Sequence, residues 1–300
     1  MKILVTGVNG QLGYDVVREL DKRGHTAIGS GSRPAADDMK DGSYIQLDIT
    51  KRPYVMKVMR DLHPDAVIHC AAWTAVDAAE DPENYDNVMA VNVSGTQNLA
   101  DMCAEIGCKM IYISTDYVFN GLGTKPWKPD CRDFNPLNVY GKSKLEGERA
   151  VMAALDKYFI VRIAWVFGKN GKNFVRTMLS VGRSHDEIRV VNDQIGTPTY
   201  TPDVARLLVD MVETEKYGIY HATNEGGYIS WYDFTREIFR QTGLKTKVIP
   251  VTTAEYGQSK AARPFNSRLD KSKLARNGFK LLPDWKEALF RYLIETGEIS

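Results

Sequence analysis

The segment that most restricts the fold of this chain stands at its beginning. A short apolar run, Ile3-Leu4-Val5, predicts a buried strand, and Gly7, Gly10 and Gly13 follow it. After a strand, glycines so spaced make a tight turn, let the backbone approach a pyrophosphate and let the next helix pack closely. The start of that helix also offers free N–H groups to phosphates. The spacing favours a dinucleotide loop over a plain structural turn, with contacts from Gly7, Asn9, Gly10, Gln11, Leu12 and Gly13.

The first half of the chain alternates strand-like and helix-like segments. Strands that are apolar throughout, separated by amphipathic helices, are typical of a parallel sheet covered on both faces. We therefore predict an α/β fold with a doubly wound, mostly parallel Rossmann sheet. The expected strands are 3–5, 26–28, 44–47, 65–70 and 110–113, and the expected helices are 11–23, 51–62 and 84–106.

The regular alternation weakens after about residue 165. Amphipathic helices are predicted at 201–213 and 231–241, with a strand at 219–221 between them. We expect a dinucleotide-binding domain at 1–165, to which 201–224 returns, and a smaller C-terminal α/β substrate-binding domain made of 166–200 and 225–300. The cleft between two such domains is a usual place for small ligands.

Composition excludes several kinds of partner. The 300 residues carry 39 Lys and Arg against 38 Asp and Glu, so a net charge of +1 predicts neither nucleic-acid nor membrane binding. No signal-peptide pattern and no membrane-length apolar run is present, which favours a cytoplasmic location. The cysteines show no CxxC pair and are expected to be reduced thiols: Cys70, Cys103, Cys108 and Cys131.

The end of the second predicted strand bears on which dinucleotide is bound. An acidic residue there would hold the adenosine ribose and repel a 2′-phosphate, and none stands at 29–33. Ser30, Ser32 and Arg33 could instead bind that phosphate, so we predict NADPH, with NADH possible. Arg33 could equally be a solvated loop residue. Asp48 and Ile49 follow the third strand and are placed to meet the adenine, although Asp48 could instead cap a helix.

Tyr140 and Lys144 are the candidate acid–base pair. They stand four apart at the start of a predicted helix, so they share one helical face. A nearby ammonium lowers the pKa of a phenol, and the same lysine can hydrogen-bond the nicotinamide ribose. Thr115, just beyond a strand, can bind the carbonyl oxygen of a substrate. Because YxxxK is common by chance, the order glycine loop, Thr115, Tyr140, Lys144 is what indicates an oxidoreductase.

The chain resembles the extended short-chain dehydrogenase/reductase family along almost its whole length. The most specific matches are STDYVF, PLNVYGKSK and the RPFNSRL segment that begins at Arg263. The matching segments are VTGVNGQLG at 5–13, CAAWTAVDAAE at 70–80, VNVSGT at 91–96, ISTDYVFNG at 113–121, PLNVYGKSKLEGE at 136–148, RIAWVFG at 162–168, NFVRTML at 173–179, VVNDQIGTPTYTPDVA at 190–205 and RPFNSRLD at 263–270.

The resemblance implies an activity and the residues that perform it. The expected reaction is the NADPH-dependent reduction of the C4 ketone of dTDP-4-dehydro-β-L-rhamnose in nucleotide-sugar biosynthesis, with a dTDP-sugar as substrate. Thr115, Tyr140 and Lys144 are the implied catalytic residues. Implied cofactor contacts also come from Ala71, Ala72 and Asn92. The implied substrate contacts are Thr74, Val76, Asp77, Thr115, Asp116, Tyr117, Trp165, Asn173 and Arg263.

The residue at position 117 argues against one related activity. The 4,6-dehydratases of the family carry a glutamate where this chain has Tyr117, so elimination lacks its acid–base group.

Two further functions stay open alongside this reduction. The alternatives are a non-catalytic dinucleotide-binding subunit, resembling the regulatory subunit of methionine adenosyltransferase, and a reductase of a related 4-keto-6-deoxy nucleotide sugar.

Some relatives are described as using Mg²⁺ at a dimer contact built from glutamates. The counterparts here are Asp15, Pro202 or Asp203, and Glu295. Because Pro202 cannot ligate through its side chain, no essential metal is expected. The chain is expected to be a monomer or a homodimer.

Overall fold

The architecture is taken from a computed structural model that describes residues 1–34, 43–257 and 259–299. Residues 35–42, 258 and 300 lie outside this part, so the last residue of the predicted substrate domain does too. The strands are β1 (Lys2–Thr6), β2 (Thr26–Gly31), β3 (Tyr44–Gln46), β4 (Ala66–His69), β5 (Lys109–Thr115), β6 (Tyr158–Ile163), β7 (Val166–Phe167), β8 (Glu187–Val191), β9 (Ile195–Gly196), β10 (Thr199–Tyr200), β11 (Gly218–His221), β12 (Asn224–Glu225), β13 (Ile229–Ser230), β14 (Lys247–Val251) and β15 (Leu282–Asp284).

Helices connect most of these strands. The expected helix 84–106 is present but contains a π-helical turn at Ala90–Ser94, a feature often found at functional sites. Short 3₁₀ turns occupy Ala78–Glu80, Pro82–Asn84 and Asp116–Val118. The α-helices are α1 (Gln11–Lys22), α2 (Arg52–Leu62), α3 (Tyr85–Met89), α4 (Gly95–Ile106), α5 (Val139–Ala154), α6 (Phe174–Ser184), α7 (Thr201–Val212), α8 (Trp231–Thr242), α9 (Thr253–Tyr256), α10 (Ser272–Arg276) and α11 (Trp285–Glu295).

A parallel sheet forms the centre of the first half. Within the described residues it has seven strands in the order β11-β6-β5-β4-β1-β2-β3, and each neighbouring pair is parallel. The predicted doubly wound Rossmann fold is therefore confirmed. The strand order reverses between β1 and β4, and in such sheets ligands bind outside the carboxyl ends of the strands near this point.

The sheet is covered by helices on both faces. On one face, Val16 of α1 and Leu208 of α7 belong to a buried apolar cluster with Ile3 of β1. On the other, Met59 of α2 and Leu99 of α4 pack in a second cluster. Each face therefore removes its own apolar surface from water, which is the main stabilising contribution to such a fold.

The second half builds a separate apolar core. Leu179 of α6, Val190 of β8, Phe234 of α8 and Trp285 of α11 belong to it. Before this core is complete, the chain returns to the central sheet. There α7 packs on α1 and β11 pairs with β6. The division into two domains at residue 165 stays a prediction.

Candidate active site

A cavity of about 1050 Å³ opens at the carboxyl ends of the central strands. It runs from the glycine loop, past the end of β5, to residues of the second half. Of the predicted site residues, its walls contain Gly7, Asn9, Gly10, Gln11, Leu12, Gly13, Ser32, Arg33, Asp48, Ile49, Ala71, Ala72, Thr74, Val76, Thr115, Asp116, Tyr117, Tyr140, Lys144, Trp165 and Arg263.

The glycine loop has the geometry that a phosphate cradle needs. Gly7 has φ +73°, and a Cβ there would lie 2.6 Å from the backbone nitrogen of Ala71. A Cβ on Gly13 would lie 2.5 Å from the carbonyl oxygen of Gly7, so the helix can pack this closely only with glycine. Gly10 caps α1 without a side-chain hydrogen bond. The first N–H groups of the helix thus face the cavity and fit the phosphates of a dinucleotide.

The residues predicted for a 2′-phosphate lie in different surroundings at the adenosine end of the cavity. Ser32 and Arg33 line it and are exposed, as a site for a 2′-phosphate requires. Ser30 does not line it, because its hydroxyl is fully buried and donates to the carbonyl of Val5 at 3.3 Å. Ser30 belongs to β2, whereas Ser32 lies just beyond the end of that strand. A contact between Ser30 and the phosphate stays a prediction.

Asp48 lines the cavity and has a local role as well. Its Oδ1 accepts hydrogen bonds from the backbone nitrogen of Thr50 at 3.0 Å and from the Thr50 hydroxyl at 2.7 Å. This turn leads into α2, so the carboxylate fixes the loop whose next residue, Ile49, also lines the cavity.

Thr115, Tyr140 and Lys144 meet at the middle of the cavity. Thr115 ends β5, and Tyr140 and Lys144 lie on the first turns of α5. Asn138 starts that helix by accepting a hydrogen bond from the backbone nitrogen of Gly141 at 2.7 Å. The Lys144 amine lies 4.1 Å from the centre of the Tyr112 ring, a cation–π contact that fixes it against the sheet.

Burial dominates the charge states of this pair. Burial raises the pKa of Tyr140 above its usual range, although a hydrogen bond with Thr115 lowers it. Burial lowers the pKa of Lys144 to about 7, while attraction to Glu148 raises it. The lowering of the phenol pKa by a charged Lys144 stays a prediction. Tyr140 is protonated at neutral pH, which is the form that can donate a proton.

Asp116 brings an unpaired carboxyl oxygen to the cavity wall. Its Oδ1 accepts a hydrogen bond from Thr115 at 3.1 Å, whereas Oδ2 is buried without a partner. Burial raises the Asp116 pKa to about 6, although the hydrogen bond with Thr115 lowers it. A buried polar atom without a partner is costly, so a ligand hydroxyl that reaches Oδ2 would be well bound.

Aromatic side chains form another part of the cavity wall. Trp165 has a left-handed backbone, with φ +51°, and its ring stacks on Trp231 at 3.6 Å. Phe174 lies 4.4 Å from Trp231. Such a backbone is strained for a bulky residue and persists only where the surroundings enforce it. Trp231 and Phe174 line the cavity but were not predicted, since only the fold brings α8 and α6 against Trp165.

Arg263 lines the substrate end of the cavity and is held by Asp77. The guanidinium donates to both carboxylate oxygens, at 3.0 Å and 2.7 Å. This pairing lowers the pKa of Asp77. Asp77 itself does not line the cavity and instead orients Arg263. Its direct contact with a substrate stays a prediction.

Two further residues predicted to contact a ligand bind other parts of the protein. Asn92 is buried, and its amide bonds both backbone groups of Trp73 and the hydroxyl of Ser143. Asn173 caps α6, and its Nδ2 donates to Gln11 Oε1 at 3.1 Å. Neither lines the cavity, but both hold segments that do. Their direct contact with a ligand stays a prediction.

The residues considered for a metal have other partners. Asp15 accepts a hydrogen bond of 2.5 Å from Thr201, and Glu295 accepts one of 2.7 Å from Tyr200. Asp203 is bound by Arg206 and Arg291. Over the part of the chain that the structure describes, His, Cys, Asp and Glu form no group of three that could hold a metal ion. In the same part, no helix has the length and apolar character to cross a membrane.

A Rossmann sheet with a glycine loop, together with threonine, tyrosine and lysine in one cavity, defines a nicotinamide-dependent short-chain dehydrogenase/reductase. The model of the RmlD substrate binding domain family matches residues 1–297. A dTDP-4-dehydrorhamnose reductase of Aggregatibacter actinomycetemcomitans is 38% identical over 302 residues, covering 96% of this chain and 97% of that protein. The chain therefore belongs to the RmlD family, in which these reductases are found.

Solved structures agree with this membership. A dTDP-4-dehydrorhamnose reductase from Clostridium acetobutylicum is 42% identical, with a TM-score of 0.90 over 99% of this chain and 100% of that one. One from Bacillus anthracis, solved in complex with NADP, is 39% identical, with a TM-score of 0.88 over 99% of this chain and 100% of that one.

Proposed function

We propose that this protein catalyses the NADPH-dependent reduction of dTDP-4-dehydro-β-L-rhamnose at C4, giving dTDP-L-rhamnose. The observation that carries the proposal is one cavity in which the glycine loop, Thr115, Tyr140, Lys144 and Arg263 all lie on the wall. Membership in the RmlD family and the NADP bound to the Bacillus anthracis relative support the substrate and the cofactor.

The residues of the first half would hold the cofactor. The N–H groups at the start of α1 suit the pyrophosphate, and Ser32 and Arg33 suit the 2′-phosphate. Lys144 suits the nicotinamide ribose. When bound, NADPH supplies the hydride that the sugar C4 accepts.

Proton transfer is assigned to Tyr140. Because burial raises the pKa of its phenol, Tyr140 carries a proton at neutral pH and donates it to the C4 oxygen as that oxygen becomes an alkoxide. Thr115 donates a hydrogen bond to the same oxygen, and charged Lys144 stabilises the phenolate that remains.

Substrate recognition is assigned to three side chains at the other end of the cavity. Asp116 offers its unpaired oxygen to a sugar hydroxyl, and Trp165 provides a flat apolar surface for the ring. Arg263 offers a planar pair of donors to the diphosphate. Tyr117 stands where an elimination would need a carboxyl group, which favours simple reduction.

The proposal extends to the setting of the enzyme. The cysteines within the described residues are free thiols, which suits a reducing cytoplasm. We propose a cytoplasmic enzyme that works as a monomer or a homodimer. A sister 4-keto-6-deoxy nucleotide sugar would present the same reacting ketone, so kcat/KM measured with each of the two sugars decides between these substrates.

The test is NADPH consumption in the presence of the keto-sugar, produced by its upstream enzymes. Replacing Tyr140 with Phe removes the proton donor and should lower kcat by about 10²–10⁴-fold. Tyr85→Phe, an exposed tyrosine outside the cavity, is the matched control and should leave the rate unchanged. Absence of NADPH consumption by the wild-type protein would favour the non-catalytic subunit instead.

A further inference from the structure

An ion pair lies completely buried beneath the catalytic helix. Glu148 follows Lys144 by one turn of α5, Arg162 stands on β6, and both side chains have 0% exposure. The guanidinium binds the carboxylate with two hydrogen bonds, Nε to Oε1 at 2.8 Å and Nη2 to Oε2 at 2.7 Å. Ser114, next to Thr115 on β5, donates to Oε1 at 2.5 Å.

The surroundings fix this pair firmly. The Arg162 guanidinium lies 5.0 Å from the ring centre of Phe119 and 5.1 Å from that of Phe134. Its Nη1 lies 3.3 Å from Nε2 of His221. Removing two ions from water is costly, and an apolar pair of similar size is often as stable. Stability alone is therefore a weak reason for an ion pair at this position.

The position of Glu148 beside Lys144 points to an electrostatic role. Glu148 and Lys144 are four residues apart on the buried face of one helix, the spacing at which side chains are neighbours. Burial works against a charged amine, and the interior screens an attraction much less than water does. A carboxylate fixed one helical turn away can offset part of the burial cost of the ammonium.

The other groups around Lys144 are neutral at pH 7. They are His69 and Cys70 at the end of β4, Tyr112 on β5 and Tyr140 on α5. Burial lowers the pKa of His69 to about 3 and raises that of Cys70 to about 12. Burial also raises the pKa values of Tyr112 and Tyr140. Among these neighbours, Glu148 supplies the negative charge.

We propose that Glu148 is a positioning residue that keeps the Lys144 amine charged in the working site, with Arg162 and Ser114 holding its carboxylate in place. The inference rests on the proposed function, in which the charged amine supports proton donation by Tyr140. It adds a second ionised residue to the machinery without giving it any contact with substrate.

The proposal fixes the direction of a pH effect. The pKa of Lys144, lowered to about 7 by burial, is raised by Glu148. Without the carboxylate the amine loses its proton at a lower pH. The reduction rate needs the charged amine, so it should begin to fall at a lower pH than in the wild-type enzyme.

The experiment removes the whole pair, so that no buried ion is left alone. Glu148→Met combined with Arg162→Met keeps the volume and should fold, because such apolar replacements are often neutral or stabilising. Competitive acetylation with trace acetic anhydride, resolved by peptide mass spectrometry, gives the pH at which the Lys144 amine becomes reactive. We expect this midpoint, and the alkaline limb of kcat, to move by about one pH unit to lower pH.

Two further variants separate this effect from a structural one. Glu146→Gln removes a carboxylate from the same helix, but Glu146 is partly exposed and paired with Arg149, so water screens it and the midpoint should stay in place. Glu148→Asp with Arg162 intact keeps the charge and should return the midpoint towards the wild-type value. If the double variant does not fold, Glu148→Gln carries the same labelling test.

The outcomes are distinct for the two proposals. An unmoved Lys144 midpoint in a cooperatively folded variant overturns the role of Glu148, and so does an equal shift in Glu146→Gln. The labelling midpoint needs no sugar substrate, so it tests Glu148 even if the wild-type protein consumes no NADPH. A wild-type protein that consumes no NADPH would overturn the proposed function alone.

Discussion

The two ends of the cavity recognise ligands by different physical means. At the glycine loop, recognition comes from backbone N–H groups and from the absence of side chains at Gly7 and Gly13. At the far end it comes from side chains, the stacked Trp165 and Trp231 and the Arg263 guanidinium. One end thus depends on backbone geometry and the other on residues carried by separate elements of the second half.

This difference explains which end tolerates change. A backbone cradle cannot be altered at one residue without moving the turn, the helix and the neighbouring strand together. A side-chain wall can be altered one residue at a time. We therefore expect substitutions in the loop to affect folding and cofactor binding together, and substitutions in the wall to affect substrate binding alone.

The largest effect is expected for Gly7→Ala. A Cβ would lie 2.6 Å from the backbone of Ala71, and the residue would be forced to keep φ +73°. Left-handed strain and overpacking together should lower the free energy of unfolding by about 2–5 kcal/mol, measured by urea denaturation. NADPH affinity, followed by fluorescence titration, should fall by about 100-fold or more, because the N–H groups of α1 move.

Gly24→Ala is the control for that variant. Gly24 has φ +76°, but a Cβ there would meet nothing within 4 Å. It should show the strain alone, about 1–2 kcal/mol, with NADPH affinity unchanged. Equal losses of stability and of NADPH affinity in Gly7→Ala and Gly24→Ala would show that the close backbone approach at Gly7 has no effect of its own.

An intermediate effect is expected for Arg263→Gln. Loss of charge-assisted hydrogen bonds to a diphosphate costs about 2 kcal/mol, so KM for the nucleotide sugar should rise by roughly 30-fold. The Kd of NADPH should stay the same, since Arg263 is assigned to the diphosphate of the nucleotide sugar and not to the cofactor. Steady-state kinetics at fixed NADPH measures the first quantity and fluorescence titration the second.

Lys260→Gln provides the comparison for Arg263. Lys260 belongs to the same segment and pairs with Asp81, but it does not line the cavity. Its loss should change KM little. A similar rise of KM in both variants would mean that the general positive field of the segment, and not the directed guanidinium, attracts the substrate.

The smallest effect is expected for Trp231→Leu. Stacking between aromatic rings contributes about 0.5–1.5 kcal/mol beyond burial, so KM for the nucleotide sugar should rise by about 3–10-fold. Tyr232→Phe, at the next position of α8 and outside the cavity, serves as its partner variant. A change in NADPH affinity in Trp231→Leu would show that the two ends of the cavity are coupled.

The sequence predicts best what depends on local spacing. The strand, the glycine turn and the helix at 1–23 can be read because each is short-range and each glycine has a steric reason. Tyr140 and Lys144 could be paired for the same reason, since helical spacing places them on one face. The order of motifs along the chain then indicated that the glycine turn and the Tyr140–Lys144 pair share a cavity.

What could not be predicted depends on contacts between distant segments. Ser30, Asn92 and Asn173 are polar residues next to motifs that line the cavity, yet their side chains bind backbone and side-chain groups of the protein that no spacing reveals. Trp231 was assigned only to an amphipathic helix. Arg162 stands within an apolar strand, and a charge at such a position signals a buried partner, although the sequence does not name Glu148 as that partner.

The return of the chain to the sheet has a consequence for exchanging parts between relatives. Because β11 pairs with β6, a block that runs from residue 166 to residue 300 carries a strand of the central sheet with it, and that strand must fit the β6 of the recipient. A hybrid that keeps its own strand needs two separate grafts, one on each side of α7 and β11. Three junctions must then be matched at once, so a single crossover cannot transfer the substrate wall without also exchanging α7 and β11.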